Sequence, residues 1–267
     1  MRPGDAPYDG FAETFAREAA VSAYNAHYDR PTVLGLLGDV NGLDILDAGC
    51  GAGLYLSELV ARGARPVGID QSADMVRLAG ERLGSLAEVR RHDLAEPLTW
   101  ADDEQFDIVL LTLVLHYLPD RVRTLRELAR VLRPDGQIVV STSHPTADWL
   151  ASGGSYFTSG FIEELSSNGM THRYWHPPLQ AWHDEFTAAG LALDRLVEHQ
   201  PVPPMARHHP VEHEKLTRQP GFMAVRLRKR HPGIQALRQP PQRSASEYTR
   251  AHPTPDPGRG QRPAGDR

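Results

Sequence analysis

From Gly42 to Val140 the chain alternates short apolar runs with amphipathic segments, and this rhythm leaves few folds open to it. Leu43–Asp47, Pro66–Ile69, Val89–His92 and Phe106–Thr112 read as strands, while Leu54–Arg62, Ser72–Leu83 and Asp120–Leu132 have helical spacing. Met75, Val76, Leu78, Ala79 and Leu83, for instance, share one face of the second of these helices. The unbroken apolar run Phe106–Thr112 suits a central parallel strand buried on both faces. Arg133-Pro134-Asp135-Gly136 reads as a turn leading into a further strand, Gln137–Thr142. Ser72 and Asp120 are placed to cap their helices. Strand–helix–strand units at this spacing require crossover connections, hence an α/β fold built on a parallel sheet.

The rest of the chain is organised more loosely. Leu179–Ala189 fits a helix closed by Gly190, and Leu191–His199 and Phe222–Arg228 fit two strands separated by a Pro- and His-rich loop. Between them and the core, residues 144–178 form a long insertion carrying Tyr156, Phe157, Phe161, Tyr174 and Trp175. Long segments of this kind inside a domain tend to be lids or binding loops. With Trp182, these rings either shape a pocket for a flat or apolar ligand or build the lid's own core. Residues 1–40 read as a helical cap with Tyr8, Phe11, Phe15, Tyr24 and Tyr28. From His231 to Arg267 there are 7 Pro and 4 Gly with only Ile234 and Leu237 as aliphatics, too little apolar surface to offset the entropy of ordering. The expected organisation is a cap over 1–40, one domain over 41–230 and a disordered tail over 231–267.

Charge sharpens this division. The net −5 is the sum of a tail with 6 Arg against 3 acids and a body, residues 1–230, with 23 basic against 31 acidic side chains. An acidic body argues against a polyanionic partner, so no nucleic acid is expected. No apolar run approaches the roughly 18 to 20 residues of a membrane span. The opening Met-Arg-Pro-Gly-Asp lacks the apolar core of a signal peptide, so a cytoplasmic protein without membrane association is expected. A single cysteine, Cys50, excludes an internal disulfide framework and a Cys-based zinc cluster. His208, His209 and His213 lie in the Pro-rich loop and read as solvated side chains, so no metal is expected.

The chemistry concentrates in Leu46-Asp47-Ala48-Gly49-Cys50-Gly51-Ala52-Gly53, at the end of the first strand and the start of a helix. Glycines there let the backbone turn tightly and approach a ligand. Dinucleotide folds also use such a loop, but the position of their third glycine or alanine is Leu54 here. Asp47 lies directly against the loop, where it would repel a pyrophosphate and attract an ammonium or sulfonium. Asp70, ending the second strand, suits ribose hydroxyls. Asp93 after the third strand can accept from an adenine amine while Leu94 donates its backbone N–H, and Met75 can lie over the purine. A nucleoside with a cationic amino-acid end describes S-adenosylmethionine.

The chain thereby resembles the class I S-adenosylmethionine-dependent methyltransferases, in particular their small-molecule, type 11 branch. The carriers are LDAGCGAG at 46–53, VGID at 67–70 with Ser72 and Met75, HDL at 92–94, FDIVLLTLVLHYLPD at 106–120 and LRPDGQIVVS at 132–141. The resemblance implies a Rossmann-like, doubly wound seven-stranded sheet with the last strand antiparallel, an N-terminal helical lid and an insertion after the fifth strand. It implies that Asp47, Ala48 and the loop Gly49, Cys50, Gly51, Ala52, Gly53 hold the methionyl end, Asp70 and Gln71 the ribose, and Asp93 and Leu94 the adenine. Leu111 would line the methyl-donating face. His116 after the fourth strand and His144 after the fifth are the candidate bases, and a small molecule is the expected acceptor. The alternative is a methyltransferase-like protein that binds S-adenosylmethionine or S-adenosylhomocysteine without turnover.

Overall fold

The computed structural model describes residues 10–165 and 171–230, so the expected tail 231–267 and Tyr8 lie outside the described residues. Nine strands and nine α-helices are formed in this part of the chain. In chain order they are α1 (Ala12–Val21), α2 (Arg30–Leu37), β1 (Asp44–Ala48), α3 (Leu54–Ala61), β2 (Arg65–Asp70), α4 (Ala73–Leu83), β3 (Glu88–Arg91), β4 (Phe106–Thr112) and α5 (Arg121–Val131). They continue with β5 (Leu132–Ser143), α6 (Pro145–Ser152), β6 (Gly160–Leu165), β7 (Thr171–His176), α7 (Leu179–Ala188), β8 (Leu191–Glu198), α8 (Met205–His208), α9 (Pro210–Arg218) and β9 (Phe222–Lys229).

Seven strands make one sheet in the order β3-β2-β1-β4-β5-β9-β8. β1 through β5 pair in parallel, whereas β9 runs antiparallel to both β5 and β8. This is the Rossmann-like sheet the resemblance implies, with its last strand reversed. The apolar run of β4 is explained by its two faces: Val109 and Leu111 pack with α5 and α7 on one side, Ile108 and Leu110 with α2 and α3 on the other. Both halves of the sandwich are therefore built from one strand's alternating side chains.

Local signals set the helix starts. Ser72 Oγ accepts the Met75 N–H at 3.2 Å and Asp120 Oδ1 accepts the Arg123 N–H at 3.0 Å, so both residues cap as expected. Three expectations need correction. Arg133-Pro134-Asp135-Gly136 is not a separate turn but lies within β5, at a register shift against β4. The Pro- and His-rich loop contains α8 and α9, because Pro210 opens a helix at its first position, where its missing N–H removes no bond. The insertion carries α6 and an antiparallel β6–β7 hairpin. Trp175 of the insertion covers the Arg121 guanidinium at 4.5 Å, and Trp182 of α7 stacks on Phe186 in the core.

Candidate functional site

The ends of β1, β2, β3 and β4 open onto a cavity of about 490 Å³. The chain leaves β1 through a loop in which Gly49 and Gly51 take left-handed φ values of 89° and 52°. A Cβ on Gly49 would lie 2.3 Å from Val114 Cγ2, whereas one on Gly51 would meet no protein atom within 4 Å. The first glycine lets the loop close against the segment after β4, and the second leaves room for a ligand against bare backbone. The Gly49 and Cys50 N–H groups donate to the Ile69 carbonyl at 2.8 and 2.9 Å. Asp70 completes the junction: Oδ2 accepts the Gly51 N–H and Oδ1 the Ser72 N–H, both at 2.9 Å.

Asp47, within β1, has no exposed surface, and neither carboxylate oxygen has a hydrogen-bond partner. Desolvation, with the Asp70 charge second, pushes its carboxyl up to about 7. The same burial and the two carboxylates raise the Cys50 thiol, so this cysteine is protonated and unreactive. Of the residues singled out by sequence, Gly49, Cys50, Gly51, Ala52, Asp70, Gln71, Met75, Asp93 and Leu94 line the cavity. Asp47, Ala48, Gly53 and Leu111 are not in its lining. Leu111 lies inside β4, wholly buried in the core, and the wall is formed one step later by Thr112, Leu113, Val114, Tyr117, Leu118 and Pro119. Leu113 is held at φ 55°, in the left-handed region that costs a non-glycine residue about 1 kcal/mol or more.

The cap supplies residues that the sequence reading missed. Beside the expected cap aromatic Phe15, the lining takes Ala16 and Ala19 from α1, Asn25 and Asp29 from a π-helical turn, Asn25–Asp29, and Arg30 from the start of α2. Wide turns of this kind occur often at functional sites. Asp29 is buried, with Oδ2 accepting from Tyr55 OH at 2.6 Å and Oδ1 contacted by His199 Nε2 at 3.0 Å. Burial and the Asp29 charge hold the Tyr55 phenol well above its usual range. Arg30 donates Nη2 to the Ala19 carbonyl at 2.9 Å, while its buried Nε has no partner. A usable signal for Tyr55 was its position, two residues past Gly53 on the helix the glycine loop opens.

The two histidines expected as bases are both buried, and neither lines the cavity. His116 Nδ1 is 2.9 Å from Thr142 Oγ1, and its ring lies 4.2 Å from that of Tyr117. His144 Nδ1 accepts the Thr146 N–H at 3.1 Å and so caps α6, leaving Nε2 to meet Glu198 Oε1 at 3.2 Å. Burial lowers the His144 pKa, with Glu198 opposing the shift. Of the described residues lining the cavity, His92 is the one imidazole. Tyr156, Phe157, Tyr174, Trp175 and Trp182 are likewise outside the lining, which Arg173 of β7 alone represents from the insertion. Among the described residues no group of three or more His, Cys, Asp or Glu side chains is placed to hold a metal ion, and no helix is long and apolar enough to cross a membrane.

Residues 46–140 match the family model of the Methyltransf_11 methyltransferase domain. The chain is 30% identical over 214 residues to a demethylmenaquinone methyltransferase of Clavibacter sepedonicus, covering 74% of this chain and 86% of that one. It is also 30% identical over 149 residues to the demethylmenaquinone methyltransferase of Lactococcus lactis, there spanning 52% of this chain but only 58% of the relative's length. The fold is shared with a putative S-adenosylmethionine-dependent methyltransferase from Listeria monocytogenes, with TM-score 0.65, 20% identity and coverage of 76% of this chain and 97% of that one.

Proposed function

The chain belongs to the class I S-adenosylmethionine-dependent methyltransferases of the Methyltransf_11 type, and from that membership we propose that it moves a methyl group to a small-molecule acceptor bound in the cavity. The observation that carries this reading is Asp47, a wholly buried carboxylate with both oxygens unpartnered beside a glycine loop. Such a group is costly to bury until a cation or donor meets it. The open space against Gly51 and the carboxylates of Asp70 and Asp93 in the lining fit the rest of an adenosyl ligand.

When bound, S-adenosylmethionine supplies a methyl group already activated on a sulfonium, so the chain's task is binding, alignment and exclusion of water. In this proposal the loop Gly49–Gly53 takes the amino-acid end, Asp47 draws its ammonium from behind the loop, and Ala48 and Gly53 shape the loop, all three from outside the lining. Arg30, with its unpartnered Nε, meets the carboxylate of that end. Asp70 and Gln71 take the ribose, Asp93 and Leu94 the adenine, and Met75 lies against the purine. Phe15, Ala16 and Ala19 close the cavity from the cap. The bound group would supply an electrophilic methyl to the acceptor's lone pair and would leave as a neutral thioether that keeps the electron pair of the broken methyl–sulfur bond. His116 and His144 then act as positioning residues, His116 through Tyr117 and His144 through the start of α6.

Incubation with S-adenosylmethionine carrying a tritiated methyl group and the small-molecule fraction of a cell extract tests the reading. Label is expected in a low-mass product. Tight binding of S-adenosylhomocysteine without transfer to any fraction would establish the non-catalytic binder instead. A response to a nicotinamide dinucleotide and none to S-adenosylhomocysteine would overturn the assignment of Asp47.

A further inference from the structure

We propose that the acceptor carries an anionic oxygen-acid group apart from its nucleophilic atom, and that Arg173 of the β6–β7 hairpin binds it. The inference rests on the methyltransferase reading above and adds the charge class of the acceptor. Charge in the cavity is sorted by region: Asp29, Asp70 and Asp93 come from the cap and the ends of β2 and β3, whereas Thr112, Leu113, Val114, Tyr117, Leu118 and Pro119 after β4 carry none. The lining has two cationic side chains, Arg30 and Arg173. Arg30 is tied to the Ala19 carbonyl and, in the reading above, meets the carboxylate of the cofactor's amino-acid end, which commits it to that side. Arg173 comes from β7, which packs against the Leu115–Tyr117 turn after β4, so it is the charged lining residue that stands with this uncharged wall.

Its surroundings keep the guanidinium available. Phe161 holds it flat, with the ring centroid 4.2 Å from Cζ. Glu163 lies directly opposite across the β6–β7 ladder, but the approach of its Oε1 to Arg173 Nε is 3.7 Å, beyond hydrogen-bond length. Among the described residues the Arg173 guanidinium donates no side-chain hydrogen bond, and its ion pair with Glu163 is long and exposed on both sides, so an incoming carboxylate, sulfonate or phosphate can take its planar fork. Residues 1–230 carry −8, with 23 basic against 31 acidic side chains, so an anion approaching elsewhere is repelled and a local cation discriminates strongly. Arg173 is 61% exposed, which places it at the cavity mouth and makes its pull sensitive to salt.

The test uses the tritium-transfer reaction with the extract, followed by anion exchange of the products at pH 8. The expected product is retained on the exchanger, because the anchoring group survives transfer. Arg173→Gln should lower the retained label about tenfold at dilute extract, with the loss overcome by concentrating the extract, and Arg173→Lys should restore part of it. Binding of S-adenosylhomocysteine, measured by calorimetry, should change less than twofold in both variants. Label in the neutral or cationic fractions, or retained label that Arg173→Gln leaves undiminished, would overturn the anionic acceptor while leaving methyl transfer intact. Absence of label from every fraction overturns both proposals.

Discussion

Asp29 of the cap and Asp47 of the sheet are both buried carboxylates beside one cavity, and the chain surrounds them in opposite ways. Asp29 has a phenol on one oxygen and an imidazole on the other, contributed by α3 and by the residue after β8. Asp47 has nothing. The first arrangement is complete without a ligand and ties the π-helical turn to α3 and to the residue after β8. The second is complete only when something positive arrives. Burial alone therefore does not mark a functional carboxylate; unsatisfied burial does.

The contrast breaks most visibly under substitution. Asp29→Ala leaves His199 and Tyr55 buried without their acceptor and should lower folding stability by about 3 to 5 kcal/mol, read by denaturant unfolding. Equal stability would mean that the clasp contributes nothing. Asp47→Asn should weaken S-adenosylhomocysteine binding by about 1.5 to 3 kcal/mol in calorimetry while leaving the ligand-free protein as stable or more stable at pH 8. The sign follows from its raised carboxyl: the folded state holds the proton up to about 7, so the ionised form costs stability as pH rises from the ordinary carboxylate range to 7. Any gain from the amide is therefore full above pH 7 and fades toward pH 4. The same ionisation is what a cation needs, so wild-type affinity should fall as pH drops below 7, and Asp47→Asn should flatten that slope. Asp70→Asn, removing the neighbouring charge, should move the midpoint of the slope to lower pH. Tyr55→Phe should have the smallest effect, about 1 kcal/mol of stability, because His199 still partners Asp29.

The sheet and the cofactor side of the cavity were legible because their determinants are contiguous in sequence. A strand end, two glycines and a carboxylate at fixed spacing describe a place in space without reference to the rest of the chain, and Asp70 and Asp93 follow the same rule at successive strand ends. The opposite wall is assembled from parts that no local pattern connects. Asp29 meets His199 across 170 residues of sequence. Arg173 reaches the cavity only because a hairpin forms in a segment whose aromatic content suggested an irregular lid. Leu111 packs into the core because a β-strand alternates its faces, and the wall begins one residue later, at Thr112, the last residue of β4. His116 and His144 illustrate the converse: position after a strand does not decide whether an imidazole faces a cavity or packs inward.

At the base of the insertion, buried Asp148 of α6 stands 3.4 Å from His176 at the end of β7. Their approach brings the two ends of the insertion together on the domain and closes it into a loop. Lengthening such a loop is cheap, about 0.6 kcal/mol for each doubling. The segment that brings Arg173 to the cavity can thus change in length at little cost, while the glycine loop and the strands that carry it stay as they are.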